Sequence, residues 1–327
     1  MRRTDAHTRD RIVAFSYIAG IVAAAVALAA LNPSGQLGFV QAVSDGLRLG
    51  LIIAITGMGL SLVFATSGIF NFAHGEFATL GALVAWWLNT ALGVPLILAI
   101  VVAIGIGGAA GYGSERAIWR PLRRRGVSVT SALVVGIGLA LAARSVFLFI
   151  VGGNSKSYAE YTVQSAISIG GIDLLPKQIV SELLCLVVLA GLGMFLKLTS
   201  LGQAIRAVSD DPILASASGI AVNRVLSTVW IIGGTMAALG GALLGLFEQV
   251  SWEMGNQLLL LIIAGVTLGG LGTVAGAVIG SILVGIVTQV SVLFLPAELK
   301  YMTALALLIH ILLIKPQGSL GRKQRVG

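Results

Sequence analysis

Residues 47–77, LRLGLIIAITGMGLSLVFATSGIFNFAHGEF, join an apolar run over 47–65 to a glycine-flanked break. A helix needs about twenty apolar residues to cross the hydrocarbon core of a bilayer, and this run supplies them. Between Gly68 and Phe77 the chain then sets Asn71, His74 and Glu76 close together before apolar sequence resumes. Ionisable groups at membrane depth are costly, and they mark functional places or points where a helix is interrupted. Whether the chain is a membrane protein, and what the break is for, both turn on this stretch.

Working outward, apolar residues make up 57% of the 327 and charged residues 10%, and mean hydropathy is +0.99. A water-soluble domain carries far more charge, so the chain is an integral membrane protein. The apolar runs are continuous rather than alternating over about ten residues, which excludes a β-barrel. The 43 glycines suit close helix packing and broken helices. The expected fold is an all-α, polytopic transmembrane bundle of eight to ten crossings with broken or re-entrant helices. Candidate spans are 12–31, 47–65, 77–92, 96–115, 129–151, 179–197, 225–247, 257–272, 276–295 and 300–315.

Charge sets the expected topology. With the N-terminus inside, Arg2, Arg3, Arg9 and Arg11 are cytoplasmic, together with Arg116, Arg120, Arg123, Arg124 and Arg125. Lys197, Arg206, Arg224, Lys315, Arg322, Lys323 and Arg325 join them, while Arg48, Lys156, Lys177 and Lys300 fall outside. This asymmetry is a strong positive-inside signal, with both termini cytoplasmic. It accounts for the basic pI of about 10.1 without nucleic acid as a partner. The first run, of twenty residues, exceeds the usual length of a signal-peptide core and reads as a retained helix. The lone Cys185 lies in an apolar run and reads as a small buried thiol. No separate soluble domain interrupts 1–327, which reads as one transmembrane domain.

Tests for chemistry are negative. No G-x-x-x-x-G-K-[ST] occurs, so ATP hydrolysis through a P-loop is not expected of this chain. His7, His74 and His310 have no ligand-type spacing, so no metal site is expected. There is no G-x-S-x-G and no nucleophile with a base, and neither catalytic residues nor a bound cofactor are expected. Asn71, His74, Gly75 and Glu76 therefore read first as a helix break. In that reading Asn71 caps or satisfies free backbone, Glu76 enters the first turn of the next helix, and the charge map sets the cluster near the inner surface. Lining a translocation path is the second reading; proton relay lacks a second carboxylate. Arg144 either snorkels to the interface or pairs with an acid or a substrate carboxylate. His310 reads as a packed residue, and Glu248 and Glu253 as loop acids at the outer end of a span. A second glycine-rich break, Gly269–Gly276, sits between spans of matching orientation, as interrupted helices of two half-repeats would.

The inner loop over 198–224 carries a short amphipathic pattern, Ala204, Ile205, Ala207 and Val208, broken at Asp210-Asp211-Pro212. There the acids can cap and the proline can open a second helix, which stops near Gly219. Two such helices suit docking against a cytosolic partner, or form an ordinary interfacial hairpin.

NFAHGEF resembles the signature of LivH-type permease subunits of branched-chain amino acid ABC importers. The inner-loop pattern of Gly202, Ala204, Arg206, Ala207, Asp210, Asp211, Ala215, Gly219 and Ile220 resembles the same family's coupling segment. The likeness runs from about Gly46 to Leu313. One departure is GNQLLLLIIAGVTLGG, which lacks the Lys-aromatic pair common before the family's LGGLG. The resemblance implies an alternating-access permease working with a homologous second permease, two cytosolic ABC ATPase subunits that use the ATP, and an extracytoplasmic substrate-binding protein, all in or at a prokaryotic cell membrane. It assigns ATPase coupling to Gly202, Arg206, Ala207, Asp211 and Gly219. The same permease type serves importers of urea and short amides, so an ABC permease for urea, short amides or sugars is the nearer alternative; a stand-alone secondary transporter or channel is the alternative from another class.

Overall fold

The computed structural model describes residues 35–161, 164–169, 172–296 and 299–314. It is a helical bundle whose order is α1 (Gly35–Ser67), α2 (His74–Ala91), α3 (Leu96–Ser114), a π-helical turn (Glu115–Trp119), α4 (Arg120–Arg124) and α5 (Val129–Val151). There follow β1 (Ile167–Ile169), β2 (Ile172–Leu174), α6 (Pro176–Leu198), α7 (Ser200–Asp210), α8 (Pro212–Ala217) and α9 (Val222–Leu244). The chain continues through α10 (Met254–Gly269), α11 (Val274–Ser291) and α12 (Lys300–Ile314). Among the described residues, six segments are long and apolar enough to cross a membrane: 37–67, 96–124, 129–151, 176–198, 222–244 and 274–291. The expected span at 12–31 lies outside the described residues.

Three of the other expected spans are short helices. α2 has 18 residues, α10 has 16 and α12 has 15. At 1.5 Å per residue α10 reaches only about 24 Å, short of a hydrocarbon core of about 30 Å; α12 is described as far as Ile314. α1 departs the other way: it is helical already from Gly35, the first described residue, well before the apolar run. Its first turns carry Gln41, Asp45 and Arg48, and of these Gln41 bonds to Asp173 and Arg48 to Gln178. Hydropathy shows where a helix is apolar, not where it stops.

α1 and α9 form the centre. From Leu49 to Val63 α1 is buried on every side, as expected of a helix that is apolar all round. It packs against α9, α10 and α11, while α9 also packs against α2 and α3. Lipid tails give apolar helices no solvent-driven reason to associate, so small residues that allow close approach decide which faces meet. Backbones touch where Gly107 of α3 meets Gly234 of α9, and where Gly241 of α9 meets Ala78 of α2. α5 and α6 lie at the periphery with Leu141, Phe149, Val180 and Leu183 exposed.

The loop over 152–175 is not wholly irregular. β1 and β2 pair antiparallel, Ile169 opposite Ile172, and Lys156 bridges Val250. Buried Tyr158 donates from its hydroxyl to the carbonyl of Ala242 at 3.0 Å, tying this loop to α9. At the same end Lys300 pairs with Glu248 at 2.7 Å, which gives that loop acid a partner within the chain.

Candidate functional site

The break in the opening stretch is built by local chemistry. α1 ends at Ser67, whose hydroxyl donates to the Val63 carbonyl at 2.6 Å and accepts from the Ile69 amide. Gly68 follows with φ +67°, a left-handed position that favours glycine, and its amide closes on the Phe64 carbonyl at 2.9 Å. The side-chain oxygen of Asn71 accepts from the Ala73 amide at 3.0 Å, and the Asn71 carbonyl accepts from the His74 amide at 3.1 Å. Asn71 thereby turns the chain into α2. Its side-chain nitrogen is buried without a hydrogen-bond partner among the described residues.

The segment does not stay beside the end of α1. His74 is 1% exposed, and its Nε2 lies 3.0 Å from the carbonyl oxygen of Thr56. A carbonyl oxygen can only accept, so the proton sits on Nε2. Thr56 precedes Ser67 by about three helical turns, so residues 68–73 climb back along α1 before α2 begins. The break is re-entrant, deeper than the surface position the charge map suggested. That depth follows from a tertiary contact, not from local sequence.

Gly75 then packs directly on Gly255. A Cβ on either would collide with the other's carbonyl, so the starts of α2 and α10 abut backbone to backbone. The Thr79 hydroxyl accepts from the Gly255 amide at 3.0 Å and donates to Glu76 at 3.3 Å. The other Glu76 oxygen lies 3.5 Å from the Arg144 guanidinium of α5, with the acid 4% and the arginine 21% exposed. Of the two readings of Arg144, the structure shows the pairing with an acid. Nearby, Gly136 of α5 sits against the backbone of Phe70 and Phe72. Asn71, His74, Gly75 and Glu76 thus form one buried assembly fastening α1, α2, α5 and α10. Its chemistry is that of a structural clasp: one imidazole held as a donor and one carboxylate held by a cation and a hydroxyl.

The second glycine-rich break is built differently. Gly270 (φ +104°) and Gly272 (φ +81°) close a tight turn, so that Gly269 and Gly276 touch at the facing ends of α10 and α11. Ser61 of α1 reaches its Thr273 carbonyl at 3.4 Å. One break re-enters the bundle and the other only reverses the chain.

The segment over 198–224 forms a helical hairpin. Thr199 caps α7 by accepting from the Gly202 amide at 3.0 Å, and Gly202 lies so close to the carbonyls of Phe195 and Leu196 that no side chain fits. Arg206 donates to the Leu196 carbonyl, satisfying the end of α6. Ile205 and Val208 face inward, and the Ala207 carbonyl accepts from the Asp211 amide at 3.0 Å. Asp211 caps α8, its carboxylate accepting from the Ile213 and Leu214 amides at 2.9 Å each. Gly219 ends the hairpin with φ +86°. Sequence reasoning missed what α8 displays: Ile213 and Leu214 are 82% and 64% exposed at its outer face. Among the described residues no three His, Cys, Asp or Glu converge as a metal site would require.

Fold and site together define a polytopic helical membrane protein with a re-entrant clasp in its middle and a helical hairpin projecting from one end. Similarity narrows that class. The sequence profile of the family described as branched-chain amino acid transport system / permease component matches residues 42–312, and the chain belongs to that family. It is 31% identical over 312 residues to the high-affinity branched-chain amino acid transport system permease protein LivH of Escherichia coli K12, covering 88% of this chain and 97% of the relative. It is 28% identical over 299 residues to the high-affinity branched-chain amino acid transport system permease protein BraD of Pseudomonas aeruginosa, with the same coverage. Among solved structures, PsaBC from Streptococcus pneumoniae in complex with Fab aligns over 90% of this chain and 97% of that one. The TM-score is 0.46 and the identity 15%, a likeness too slight to indicate a shared function.

Proposed function

We propose that this chain is the membrane permease subunit of an ATP-driven importer of branched-chain amino acids. Its termini lie in the cytoplasm, it works by alternating access, and it hydrolyses no ATP itself. The partners are a homologous second permease, two cytosolic ABC ATPase subunits that supply the ATP chemistry, and an extracytoplasmic binding protein that delivers substrate. The names of the relatives support the substrate class. One observation carries the coupling: the hairpin of α7 and α8 buries Ile205 and Val208 against the bundle while presenting Ile213 and Leu214 outward. Two bulky apolar side chains on a capped six-residue helix suit a groove in a soluble partner better than they suit water. A push on α8 passes through α7 to α6 and α9, the helices that the hairpin joins. The clasp at Asn71, His74, Gly75 and Glu76 holds α1, α2, α5 and α10 in one arrangement and borders the path that rearrangement opens.

The test is co-purification of the ATPase subunits with the tagged permease. Ile213→Asp with Leu214→Asp is expected to abolish co-purification and uptake while membrane insertion is retained. Full co-purification by the double variant would remove the coupling assignment.

A further inference from the structure

We infer that the arginine groove at the end of α3 is a binding site for the phosphodiester headgroup of an anionic phospholipid. The site is a recess of about 420 Å³ lined by Arg116, Arg120, Pro121, Arg124 and Arg125. Arg116, Arg120 and Arg124 recur every fourth residue and so share one helix face, where like charges repel. The fifth basic residue, Arg123, is turned away and neutralised: its guanidinium forks onto Glu115, which is fully buried by the π-helical turn. None of the four lining arginines has an ion pair among the described residues, and the Nε of Arg120 is buried without an acceptor. A desolvated guanidinium nitrogen beside three unneutralised cations lacks an anion that can accept several hydrogen bonds. A phosphodiester does so, and arginine's planar fork matches it.

Placement selects the source. The cluster closes the segment 96–124, which is long and apolar enough to cross the membrane, with exposed Tyr112, Ile106 and Val102 leading into it. An acyl chain can lie along that segment while its headgroup enters the groove. Basic residues abutting the end of a spanning helix attract anionic lipid from the adjoining leaflet. The π turn is what makes this geometry: it buries Glu115 and Trp119, which stacks on Trp230 at 5.5 Å, and leaves the arginine face without a local acid. The leaflet is the cytoplasmic one if the proposed orientation holds; the binding itself does not depend on transport.

The experiment is native mass spectrometry of the full chain, without partners, exchanged into phosphatidylglycerol and phosphatidylcholine. Wild type is expected to retain phosphatidylglycerol selectively, with binding that weakens as ionic strength rises. Replacing Arg116, Arg120, Arg124 and Arg125 together by Gln is expected to lower that selectivity at least tenfold. Arg120→Gln alone is expected to lower it several-fold with an unchanged thermal unfolding profile, which covers the case in which the fourfold variant does not fold. Lys197→Gln, at the same end of the bundle, is expected to leave it intact. Unchanged selectivity in Arg120→Gln and the fourfold variant overturns the inference, as does displacement of the lipid by millimolar inorganic phosphate. Unchanged selectivity with loss of ATPase co-purification overturns it in favour of an acidic protein partner. Absence of ATP-driven uptake by the wild-type importer, with the wild-type lipid selectivity present, counts against the transport reading and leaves the lipid site standing.

Discussion

The imidazole of His74 donates from Nε2 to the carbonyl oxygen of Thr56 at 3.0 Å, anchoring the start of α2 beside the middle of α1. The side chains of Asn71, His74 and Glu76 are all buried, and their partners come from α1, α5, the turn and, for Thr79, α2 itself. The re-entrant break is therefore a fastened joint.

Replacing His74 by Phe keeps the ring packing on Phe77 and removes the donor to Thr56. A buried hydrogen bond lost from one side costs about 1–3 kcal/mol. The expected outcome is a lower thermal unfolding midpoint in detergent with normal membrane insertion. A midpoint equal to wild type would show that the bond does not fasten the joint.

Gly75→Ala and Gly105→Ala are the same change in opposite surroundings. At Gly75 the new methyl meets the Gly255 carbonyl, whereas at Gly105 nothing lies within 4 Å. Gly75→Ala is expected to lower thermal stability strongly by forcing α2 and α10 apart. Gly105→Ala is expected to hold or raise it, since alanine is the better helix former by about 1 kcal/mol. Equal midpoints for the two variants would contradict the close approach.

Arg144→Leu leaves Glu76 buried without its cation, a loss expected to cost roughly 3 kcal/mol. Adding Glu76→Gln to Arg144→Leu removes the stranded charge, so the double variant is expected to be more stable than Arg144→Leu alone. Thermal unfolding of the four proteins of this cycle measures the coupling. Additive losses would show that the 3.5 Å pair is not an energetic one.

Asp211→Arg removes the cap of α8 and sets a cation against its N-terminal amides, where the helix dipole disfavours it. Gly219→Trp forces a bulky residue into a backbone of φ +86°. Both variants are expected to insert but to lose uptake and ATPase co-purification. Wild-type values for both would place the coupling elsewhere.

The bundle was legible because apolar runs and glycine punctuation are local signals, as at 47–65 and Gly68. So was the hairpin, since Asp211 before Pro212 is a capping pattern that needs no tertiary information. The depth of the break was not, because it rests on His74 finding Thr56 on another helix. Nor was the choice of Glu76 as the partner of Arg144, which joins α2 to α5 across the fold. The extension of α1 ahead of residue 47 was hidden because Gln41 and Asp45 interrupt its apolar sequence there. The π turn was hidden too, since only its packing shows why Glu115 faces inward and Arg116 does not.

The most direct measurement is uptake of radiolabelled leucine into proteoliposomes that hold this chain with its second permease, the two ATPase subunits and the binding protein. Uptake that requires ATP and every partner, and that is absent with this chain alone under any ion gradient, is the predicted result. Gradient-driven uptake by this chain alone would contradict the account.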